Sequence, residues 1–325
     1  MKLSKIAVFT SGGDSPGMNA ALRAVVRAAR YYKIEVEGIF RGYEGMIDDD
    51  FIPLDERSVA RIVDKGGTII KSARSESFRT KEGRLKAYQN LQKRNIDAVI
   101  GIGGDGTFMG LHVFNEEFGM PVIGVPGTID NDIFGTDYTI GFDTASNTAV
   151  DAIDKIRDTA TSHNRLFLIE VMGRDSGFIA FRCAIASGAK AVMLPETHVE
   201  PKALMAKIKE GASKHKSSNI VIVSEGNKNG DAAQLAEVLH QMDSSYDIKV
   251  TVLGHIQRGG APSAYDRLLA SRLGVGAIEA LREERNDVMV GILNEKLAFT
   301  PLAKATKEHH RIKDEMLHLI EILSI

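Results

Sequence analysis

The sequence predicts an α/β fold in which largely parallel sheets are divided between two domains. Short β-branched apolar runs alternate along the chain with longer amphipathic runs, a pattern typical of βαβ units. The chain has 325 residues, whereas a single hydrophobic core rarely grows beyond about 250 residues. Unusual glycine-containing loops follow predicted strands before and after residue 140. We therefore expect an active site in a cleft between two α/β domains.

The predicted strands are the short apolar runs. They lie near Lys5–Thr10, Glu35–Phe40, Ala98–Ile102, Pro121–Val125, Leu166–Val171, Ala191–Leu194, Asn219–Ser224, Lys249–Leu253 and Asp287–Gly291. The predicted helices are the amphipathic runs between them. The clearest cover Met18–Tyr31, Arg84–Lys93, Ala145–Thr159, Lys202–Lys214, Asp231–Met242, Ser263–Leu281 and Glu308–Leu323.

The composition is that of a soluble protein. Hydrophobic residues make up 43% of the chain and charged residues 26%. No apolar run approaches the roughly 20 residues of a membrane span, and Met1–Thr10 lacks the layout of a signal peptide. We therefore expect a cytoplasmic enzyme without a membrane partner. The 41 basic and 43 acidic residues include no basic block, so we expect no nucleic-acid partner.

Cys183 is the single cysteine of the sequence, which excludes an intrachain disulfide. It stands in an apolar stretch, where a buried structural thiol is far commoner than a nucleophile. We therefore expect no chemistry from it.

Two glycine-rich loops predict phosphate binding. Residues 103–107 read Gly-Gly-Asp-Gly-Thr and stand between the predicted strand Ala98–Ile102 and a helix-like stretch. Glycines let backbone N–H groups face a phosphate at a helix N-terminus. The loop Ser11–Gly17 suits either the same chemistry or a plain tight turn. Asp105 would repel a phosphate unless a cation stood between them, which predicts Mg²⁺.

The loop Pro126–Asp132 predicts acid–base chemistry. It places the hydroxyl of Thr128 and the carboxylates of Asp130 and Asp132 on the next strand-to-helix turn. An Asx-rich turn explains part of this pattern, but three side chains able to hydrogen-bond a hydroxyl or a metal shell exceed what a turn needs. A phosphate cradle beside paired carboxylates is typical of phosphoryl transfer, in which a carboxylate deprotonates the acceptor alcohol.

Four further side chains follow predicted strands in the second half of the chain. Arg174 and Arg258 stand in glycine-containing loops, where a planar guanidinium matches phosphate oxygens, although arginine is usually a surface residue. His255 is either a base or a hydrogen-bonding substrate contact. Glu225 is either an acceptor for a sugar hydroxyl or an acid at a helix N-terminus.

Taken in this order, the loops resemble those of the bacterial ATP-dependent 6-phosphofructokinases, from Lys5 to roughly Glu295. Gly-Gly-Asp-Gly-Thr alone is also similar to NAD kinases and diacylglycerol kinases. Pro-Gly-Thr-Ile-Asp-Asn-Asp, Met-Gly-Arg and Gly-His-Ile-Gln-Arg-Gly-Gly together are specific to the family. The resemblance implies transfer of the γ-phosphoryl group of ATP to the 1-hydroxyl of fructose 6-phosphate, with Mg²⁺ as cofactor. The products would be fructose 1,6-bisphosphate and ADP, in glycolysis.

The resemblance also implies the domain organisation: two doubly wound, Rossmann-like three-layer domains with mostly parallel sheets. The larger, ATP-binding domain would comprise residues 1–141 and about 257–305. The smaller, fructose 6-phosphate-binding domain would comprise residues 142–256 and about 306–325.

Site residues carry over from the family by position. Asp130 would be the base on the 1-hydroxyl and Asp132 would orient the site, while Asp105 would act on Mg²⁺. Thr128 and Arg174 would stabilise the transferring phosphoryl group. The positions that match the catalytic set are Gly12, Thr128, Asp130, Asp132 and Arg174. Those that match ATP contacts are Gly12, Tyr43, Arg74, Phe78, Arg79, Gly104, Asp105, Gly106 and Thr107. Those that match sugar-phosphate contacts are Thr128, Asp130, Arg165, Met172, Gly173, Arg174, Glu225, Lys249, His255 and Arg258.

Two glycines indicate ATP as the donor. Related diphosphate-dependent enzymes look like Gly-Gly-Asp-Asp-Ser and Pro-Lys-Thr-Ile-Asp-Asn-Asp in the same loops. Their aspartate obstructs the nucleotide and their lysine grips the diphosphate. Gly106 and Gly127 stand at those positions here, which leaves room for a nucleotide.

The family is a homotetramer in which arginines from a neighbouring subunit bind the 6-phosphate. Arg165 matches one of them, whereas Lys249 replaces the other. An ammonium keeps the charge but loses the bidentate geometry of a guanidinium. The resemblance therefore implies subunit-interface sites with an altered affinity for the 6-phosphate.

The effector site of the family departs further in this sequence. In the family it binds ADP as activator and phosphoenolpyruvate as inhibitor between subunits. Its phosphate-binding cations are matched by Arg23, Arg27, Arg157, Lys214 and Lys216. Glu56-Arg57 replaces an arginine–tyrosine pair, Arg61 replaces an aspartate, and Lys190 replaces the magnesium-associated glutamate. Because that change removes an acid and adds a cation, we expect altered or absent ADP activation and a metal-free anion as ligand.

Three alternatives stay open. A diphosphate-dependent phosphofructokinase or a kinase for another sugar phosphate would share the fold. A dinucleotide-dependent dehydrogenase would use the Gly-x-Gly-x-x-Gly match at 101–106, but it would leave Asp130 and Asp132 without a role. A catalytically inactive nucleotide-binding regulator is disfavoured because the chemically needed residues are present. No Walker-type Gly-x-x-x-x-Gly-Lys-Ser/Thr motif occurs.

Overall fold

Strands and helices alternate along the chain in the computed structural model, which describes residues 3–161, 165–213 and 219–323. The strands are β1 (Lys5–Thr10), β2 (Glu35–Ile39), β3 (Phe51–Leu54), β4 (Ala98–Gly103), β5 (Val122–Thr128), β6 (Ile140–Gly141), β7 (Arg165–Val171), β8 (Ala191–Met193), β9 (Asn219–Ser224), β10 (Asp247–Val252), β11 (Val288–Leu293) and β12 (Lys296–Pro301). The helices are α1 (Met18–Tyr31), α2 (Gly42–Asp48), α3 (Lys81–Lys93), α4 (Asp105–Phe118), α5 (Phe142–Thr161), α6 (Phe178–Ser187), α7 (Pro201–Ser213), α8 (Ala232–Met242), α9 (Ala264–Arg282), α10 (Leu302–Lys307) and α11 (Asp314–Leu323).

The chain forms two units, each built from two segments. Unit 1 comprises Met1–Thr144 and Arg258–His310. Unit 2 comprises Ala145–Gln257 and Arg311–Ile325. Each unit has its own sheet, so each satisfies the backbone hydrogen bonds of its strands internally.

The sheet of unit 1 has the strand order β12-β11-β5-β4-β1-β2-β3, and β6 pairs with β5. Strands β2, β1, β4, β5 and β11 are parallel, whereas the edge strands β3 and β12 are antiparallel. Thr10 of β1 pairs with Ile102 of β4, and Gly103 of β4 pairs with Pro126 of β5. This register brings the loops after β1, β4 and β5 to one edge of the sheet.

Alternate side chains of β1 face opposite layers of unit 1. Ile6 and Val8 belong to a hydrophobic core with residues of α1 and α9. Ala7 and Phe9 belong to a second core with residues of α4 and α10. Helices therefore cover both faces of the sheet, which confirms the predicted three-layer α/β class.

The sheet of unit 2 is parallel, with the order β10-β7-β9-β8. Leu166 and Leu168 of β7 are fully buried in a core with residues of α7 and α8. Helix α6 contacts β8 and β9. At the edge, β10 exposes Val250 and Val252. Of the predicted sugar-phosphate residues of this unit, Met172, Gly173 and Arg174 follow β7, Glu225 follows β9 and His255 follows β10, whereas Arg165 and Lys249 lie within β7 and β10.

The helix predicted over Glu308–Leu323 is wrong in its first part. Helix α10 ends at Lys307, residues 309–313 are not helical, and α11 begins at Asp314. The cause is a tertiary contact: His309 forms an antiparallel bridge with Ile133. Backbone groups that bond a distant loop are not available for a helix.

Other differences are smaller, and the first has a local cause. Helix α3 begins at Lys81 rather than at Arg84, because the Thr80 hydroxyl accepts a hydrogen bond from the Gly83 N–H at 3.1 Å. The elements α2, β3, β6, α6, β12 and α10 were not among those named in the prediction, and all of them except the ten-residue α6 have two to seven residues.

Cys183 is buried and its S–H donates to the Ser146 carbonyl. The thiol is thus buried, as expected, and burial raises its pKa to about 12. Within the described residues, no helix combines the length and the apolar character needed to cross a membrane.

Candidate active site

The predicted site residues divide between the two units. Unit 1 holds Gly12, Tyr43, Arg74, Phe78, Arg79, Gly104, Asp105, Gly106, Thr107, Thr128, Asp130, Asp132 and Arg258. Unit 2 holds Arg165, Met172, Gly173, Arg174, Glu225, Lys249 and His255.

The loops after β1 and β4 touch through their backbones. The Ser11 N–H donates to the Ile102 carbonyl at 3.0 Å. A Cβ atom on Gly103 would lie 2.7 Å from the Ser11 carbonyl oxygen and 2.3 Å from Thr107 Oγ1, so no side chain fits there. Gly12 has a φ of 81°, in the left-handed region that favours glycine. Glycine at these positions is what allows the close approach.

The start of α4 is an open helix N-terminus. Gly104, the residue before the helix, has no side chain to cap the first N–H groups, and Asp105 and Gly106 of the first turn are exposed. Free N–H groups and the helix dipole together make such an end a binding site for anions. The geometry therefore supports a phosphate-binding role for this turn.

Tyr43 and Phe78 lie beneath α4. The Tyr43 hydroxyl donates to the Thr107 carbonyl at 2.6 Å, and its ring stacks on Phe78 with centroids 3.9 Å apart. Only 6% of Tyr43 and 4% of Phe78 is exposed. Both side chains are part of the core below the predicted nucleotide loop, whereas Arg74 and Arg79 are exposed.

The loop after β5 is held rigid by its own side chains. Asn131, between the two predicted acids, has a φ of 54°. Its Oδ1 accepts from the Thr139 N–H at 2.8 Å, and its Nδ2 donates to the Asp137 carbonyl at 3.2 Å. The Thr139 hydroxyl donates to the Thr128 carbonyl at 2.6 Å, and the Asp130 N–H donates to Thr128 Oγ1 at 3.2 Å. The sequence suggested an Asx turn here but not the role of Asn131 in organising it.

The acids of this loop lie in a negative environment. Asp130 is only 3% exposed. Burial, and then the carboxylates of Asp130 and Asp105, raise the pKa of Asp132 from 3.8 to about 6, against an opposing effect of His309. The three carboxylates are therefore close enough to repel one another, which is the condition that a bound cation relieves.

Carboxylate oxygens are the ligands that Mg²⁺ prefers, usually one or two of them together with substrate phosphates. Among the described residues, no three His, Cys, Asp or Glu side chains are arranged to hold a metal ion on their own. The exposed carboxylate of Asp105 lies at the uncapped start of α4, and an ion shared with a bound phosphate would suit this position.

Arg258 lies against the loop after β1. Its Nη1 donates to the Asp14 carbonyl at 3.2 Å. A Cβ atom on Gly13 would lie 2.3 Å from the same nitrogen. The glycine thus makes room for the guanidinium beside the Gly12 turn.

In unit 2, side-chain oxygens hold three successive N–H groups of the loop after β7. Gln257 Oε1 accepts from the Met172 N–H at 3.0 Å. Glu225 Oε1 accepts from the Gly173 and Arg174 N–H groups at 3.2 and 2.7 Å. Glu225 was predicted to contact substrate, but in this structure one of its oxygens organises the loop. Gln257, fully buried, was not predicted.

Arg165 and Lys249 share one carboxylate. Arg165 Nε lies 2.8 Å from one oxygen of Asp247, and Lys249 Nζ lies 2.8 Å from the other. Hydrogen bonding to Lys249, and then to Arg165, lowers the pKa of Asp247. Asp247, which the sequence did not single out, is thus the carboxylate that pairs with both of these cations.

The predicted effector residues are in both units. Arg23 and Arg27 are one turn apart on α1, and burial, followed by the charge of Arg27, lowers the pKa of Arg23. In unit 2 the Arg157 guanidinium donates to the Ser187 carbonyl, and the Lys190 N–H donates to the Ile220 carbonyl. Lys214 and Lys216 lie outside the described residues.

Replacements at the predicted effector site are exposed in unit 1. Glu56 accepts from Arg30 Nε at 3.1 Å, so the acid that stands at a family arginine position pairs with a cation of α1. Arg57 and Arg61 are exposed, and Arg61 has a φ of 57°.

Comparisons with known proteins agree on one family. The family model described as Phosphofructokinase matches residues 5–281. A protein of Cytophaga hutchinsonii named ATP-dependent 6-phosphofructokinase is 52% identical over 322 residues, which cover 99% of this chain and 98% of that protein. ATP-dependent 6-phosphofructokinase 1 of Thermus thermophilus is 53% identical over 323 residues, 99% of this chain and 100% of that protein. The solved structure of phosphofructokinase from Saccharomyces cerevisiae aligns with a TM-score of 0.89 and 36% identity over 99% of this chain, which spans 47% of that chain.

Proposed function

The chain belongs to the phosphofructokinase family, and from this premise we propose that it is an ATP-dependent 6-phosphofructokinase. It transfers the γ-phosphoryl group of ATP to the 1-hydroxyl of fructose 6-phosphate in glycolysis. The main support is sequence identity: relatives with that name are identical to this chain at about half of the positions over essentially their whole length. We further propose that it acts in the cytoplasm.

Asp130 is the proposed base. Its carboxylate takes the proton of the 1-hydroxyl while that oxygen forms a bond to the γ-phosphorus and the bond from the γ-phosphorus to the β–γ bridging oxygen breaks. ADP leaves with the electron pair of that bond. The near-complete burial of Asp130 and its fixed backbone support the role, because a base must stand at hydrogen-bond distance from the proton it removes. Asp132 would orient the site.

The nucleotide phosphates are proposed to bind the Gly12 turn and the start of α4, where exposed N–H groups and the helix dipole favour anions. Asp105 would hold Mg²⁺, which would neutralise phosphate charge. Thr128 and Arg174 would add donors to the transferring group. Arg74 and Arg79 supply exposed cations. Tyr43 and Phe78 would support the start of α4 from the core beneath it.

The sugar phosphate is proposed to bind Met172, Gly173, Glu225, His255 and Arg258. Glu225 can hold the loop after β7 and also accept a hydrogen bond from a sugar hydroxyl. A carboxylate has two oxygens, and only Oε1 is bonded to the loop N–H groups. In a homotetramer, which the family resemblance implies, Arg165 and Lys249 would reach the 6-phosphate of a neighbouring subunit.

The choice of donor has a direct test at Gly106. A Cβ atom there meets nothing within 4 Å, so Gly106→Asp adds a charge without a packing clash. Purified wild-type protein with fructose 6-phosphate and Mg²⁺ should turn over with ATP and not with diphosphate. Gly106→Asp should raise the KM for ATP at least about 10-fold, because an added carboxylate opposes phosphate at this turn.

Gly106→Ala is the matched control, because it fills the same position without charge. It should keep a KM for ATP near the wild-type value. Turnover of the wild type with diphosphate but not ATP would instead support the diphosphate-dependent alternative.

A further inference from the structure

The segment between α10 and α11 contacts the loop that carries the proposed base. The His310 N–H donates to the Asp132 carbonyl at 2.9 Å. Nδ1 of His310 lies 3.2 Å from the Asn131 carbonyl oxygen. Because a carbonyl oxygen can only accept, Nδ1 carries the hydrogen of this bond. His310 thus holds two successive carbonyl groups of the loop after β5.

The Asn131 carbonyl is an effective place to hold this loop. Asn131 has a φ of 54°, in the left-handed region that asparagine adopts more readily than most residues other than glycine. Its side chain is tied to Asp137 and Thr139 on one side of the loop. The imidazole of His310 holds its carbonyl, so the residue directly after Asp130 is restrained through both its side chain and its backbone.

Neighbouring contacts give His310 little freedom to move. His309 pairs with Ile133 in an antiparallel bridge, which fixes the segment beside the loop. His310 is half-buried and is the last residue of unit 1. The hydrogen bond from His310 Nδ1 to the Asn131 carbonyl is therefore part of a larger set of contacts between these two segments.

We propose that His310 is a positioning residue for phosphoryl transfer: its imidazole fixes the Asn131–Asp132 peptide group and so keeps Asp130 oriented toward the acceptor hydroxyl. The proposal rests on the role of Asp130 as base proposed above. It acts on the chemical step, because a base displaced by a fraction of an ångström loses part of its effective molarity while substrates still bind.

Two amide substitutions separate this role from general packing. The amide nitrogen of asparagine occupies the place of Nδ1, whereas that of glutamine occupies the place of Nε2. His310→Asn should therefore retain the bond to the Asn131 carbonyl, and His310→Gln should lose it. His310→Ala removes the donor, and His318→Ala, at an exposed histidine of α11, is the control.

The test is steady-state kinetics of the full-length protein with ATP, Mg²⁺ and fructose 6-phosphate, alongside thermal melting. We expect His310→Ala and His310→Gln to lower kcat about 10-fold, with little change in either KM. His310→Asn should recover most of the lost kcat, and His318→Ala should match the wild type. Melting temperatures identify any variant that fails to fold, in which case the Asn and Gln variants decide the outcome.

If the wild type is active and His310→Ala has an unchanged kcat, the proposed role of His310 is wrong while the proposed function stands. Equal rates for His310→Asn and His310→Gln would overturn that role as well, because only one of them keeps the donor in place. A wild type without ATP-dependent turnover would overturn the proposed function and this inference with it.

Discussion

At the scale of single residues, Asp132, which we propose orients the site, lies in an environment that is unfavourable to its charge. Burial and two neighbouring carboxylates raise its pKa to about 6. A raised pKa in the folded state means that the folded protein binds more protons than the unfolded chain between pH 3.8 and about 6. The free energy of unfolding contributed by this group therefore falls as pH rises through that window and stays low above it.

Asp132→Asn removes this ionisation and tests its sign. In buffer without Mg²⁺, the variant should be more stable than the wild type at pH 8, and its advantage should shrink by about 1.4 kcal/mol at pH 5. Urea denaturation at the two pH values measures the difference. Asp64→Asn, at an exposed acid of the same unit, is the control for the removal of a carboxylate. An advantage independent of pH would contradict the environment described for Asp132.

A feature of the candidate site could be predicted from the sequence where a single side chain, or a single glycine, determines it. The acids of the Pro126–Asp132 loop and the openness at Gly106 could be inferred from the printed letters. Gln257 and His310 could not, because each acts on a loop more than 80 positions away along the chain. The sequence contains no local signal for such a contact.

At the scale of elements, α1 and α9 pack closely through a glycine. A Cβ atom on Gly274 would lie 2.7 Å from Ala24 Cβ and 2.8 Å from the Ala21 carbonyl oxygen. Gly274→Ala gains about 1 kcal/mol of helix propensity, but overpacking between two backbones costs about 1–3 kcal/mol. We expect a lower melting temperature.

Gly276→Ala, in the same helix, provides the comparison. Its Cβ atom would meet the ends of Leu297 and Val290 at 3.0 and 3.1 Å, and side-chain ends can shift more easily than backbone. We expect this variant to melt closer to the wild type than Gly274→Ala. The reverse order in differential scanning calorimetry would contradict the packing described for α1 and α9.

Element positions were predictable from periodicity, and element ends were not. Helix α5 begins at Phe142 rather than at the predicted Ala145. The buried carboxylate of Asp266, in α9, accepts from the Gly141 and Thr144 N–H groups at 2.9 and 2.8 Å and so supports the start of α5. A helix start set by a residue more than 120 positions away cannot be read from a local pattern.

At the scale of the whole molecule, the proposed assembly connects phosphate binding to subunit contacts. Asp247 pairs with both Arg165 and Lys249 within one chain. Lys249→Ala should raise the KM for fructose 6-phosphate more than it lowers kcat, because it removes a cation that does not touch the reacting atoms. Lys249→Arg should bind the substrate at least as well as the wild type, since a guanidinium adds bidentate contacts.

Saturation curves for fructose 6-phosphate measure both variants, and sedimentation equilibrium establishes whether a tetramer forms. An unchanged curve for Lys249→Ala would remove this residue from the proposed 6-phosphate site.

Regulation is also a property of the assembly. Lys190 stands where a magnesium-associated glutamate is expected by resemblance, and Glu56 is engaged with Arg30. We expect Mg-ADP to give little activation of the wild type in an assay at low fructose 6-phosphate. Strong Mg-ADP activation of the wild type that is lost in Lys190→Glu would contradict the expected change at this site.

Above all, we propose that this chain transfers the γ-phosphoryl group of ATP with Asp130 as the base. The most direct measurement is the rate of fructose 1,6-bisphosphate formation from ATP, Mg²⁺ and fructose 6-phosphate by the wild type and by Asp130→Ser, with ATP binding measured in parallel. We expect turnover by the wild type and a loss of about 100-fold to 10,000-fold in kcat for Asp130→Ser, with ATP binding largely retained. Undiminished turnover by Asp130→Ser would exclude this carboxylate as the base.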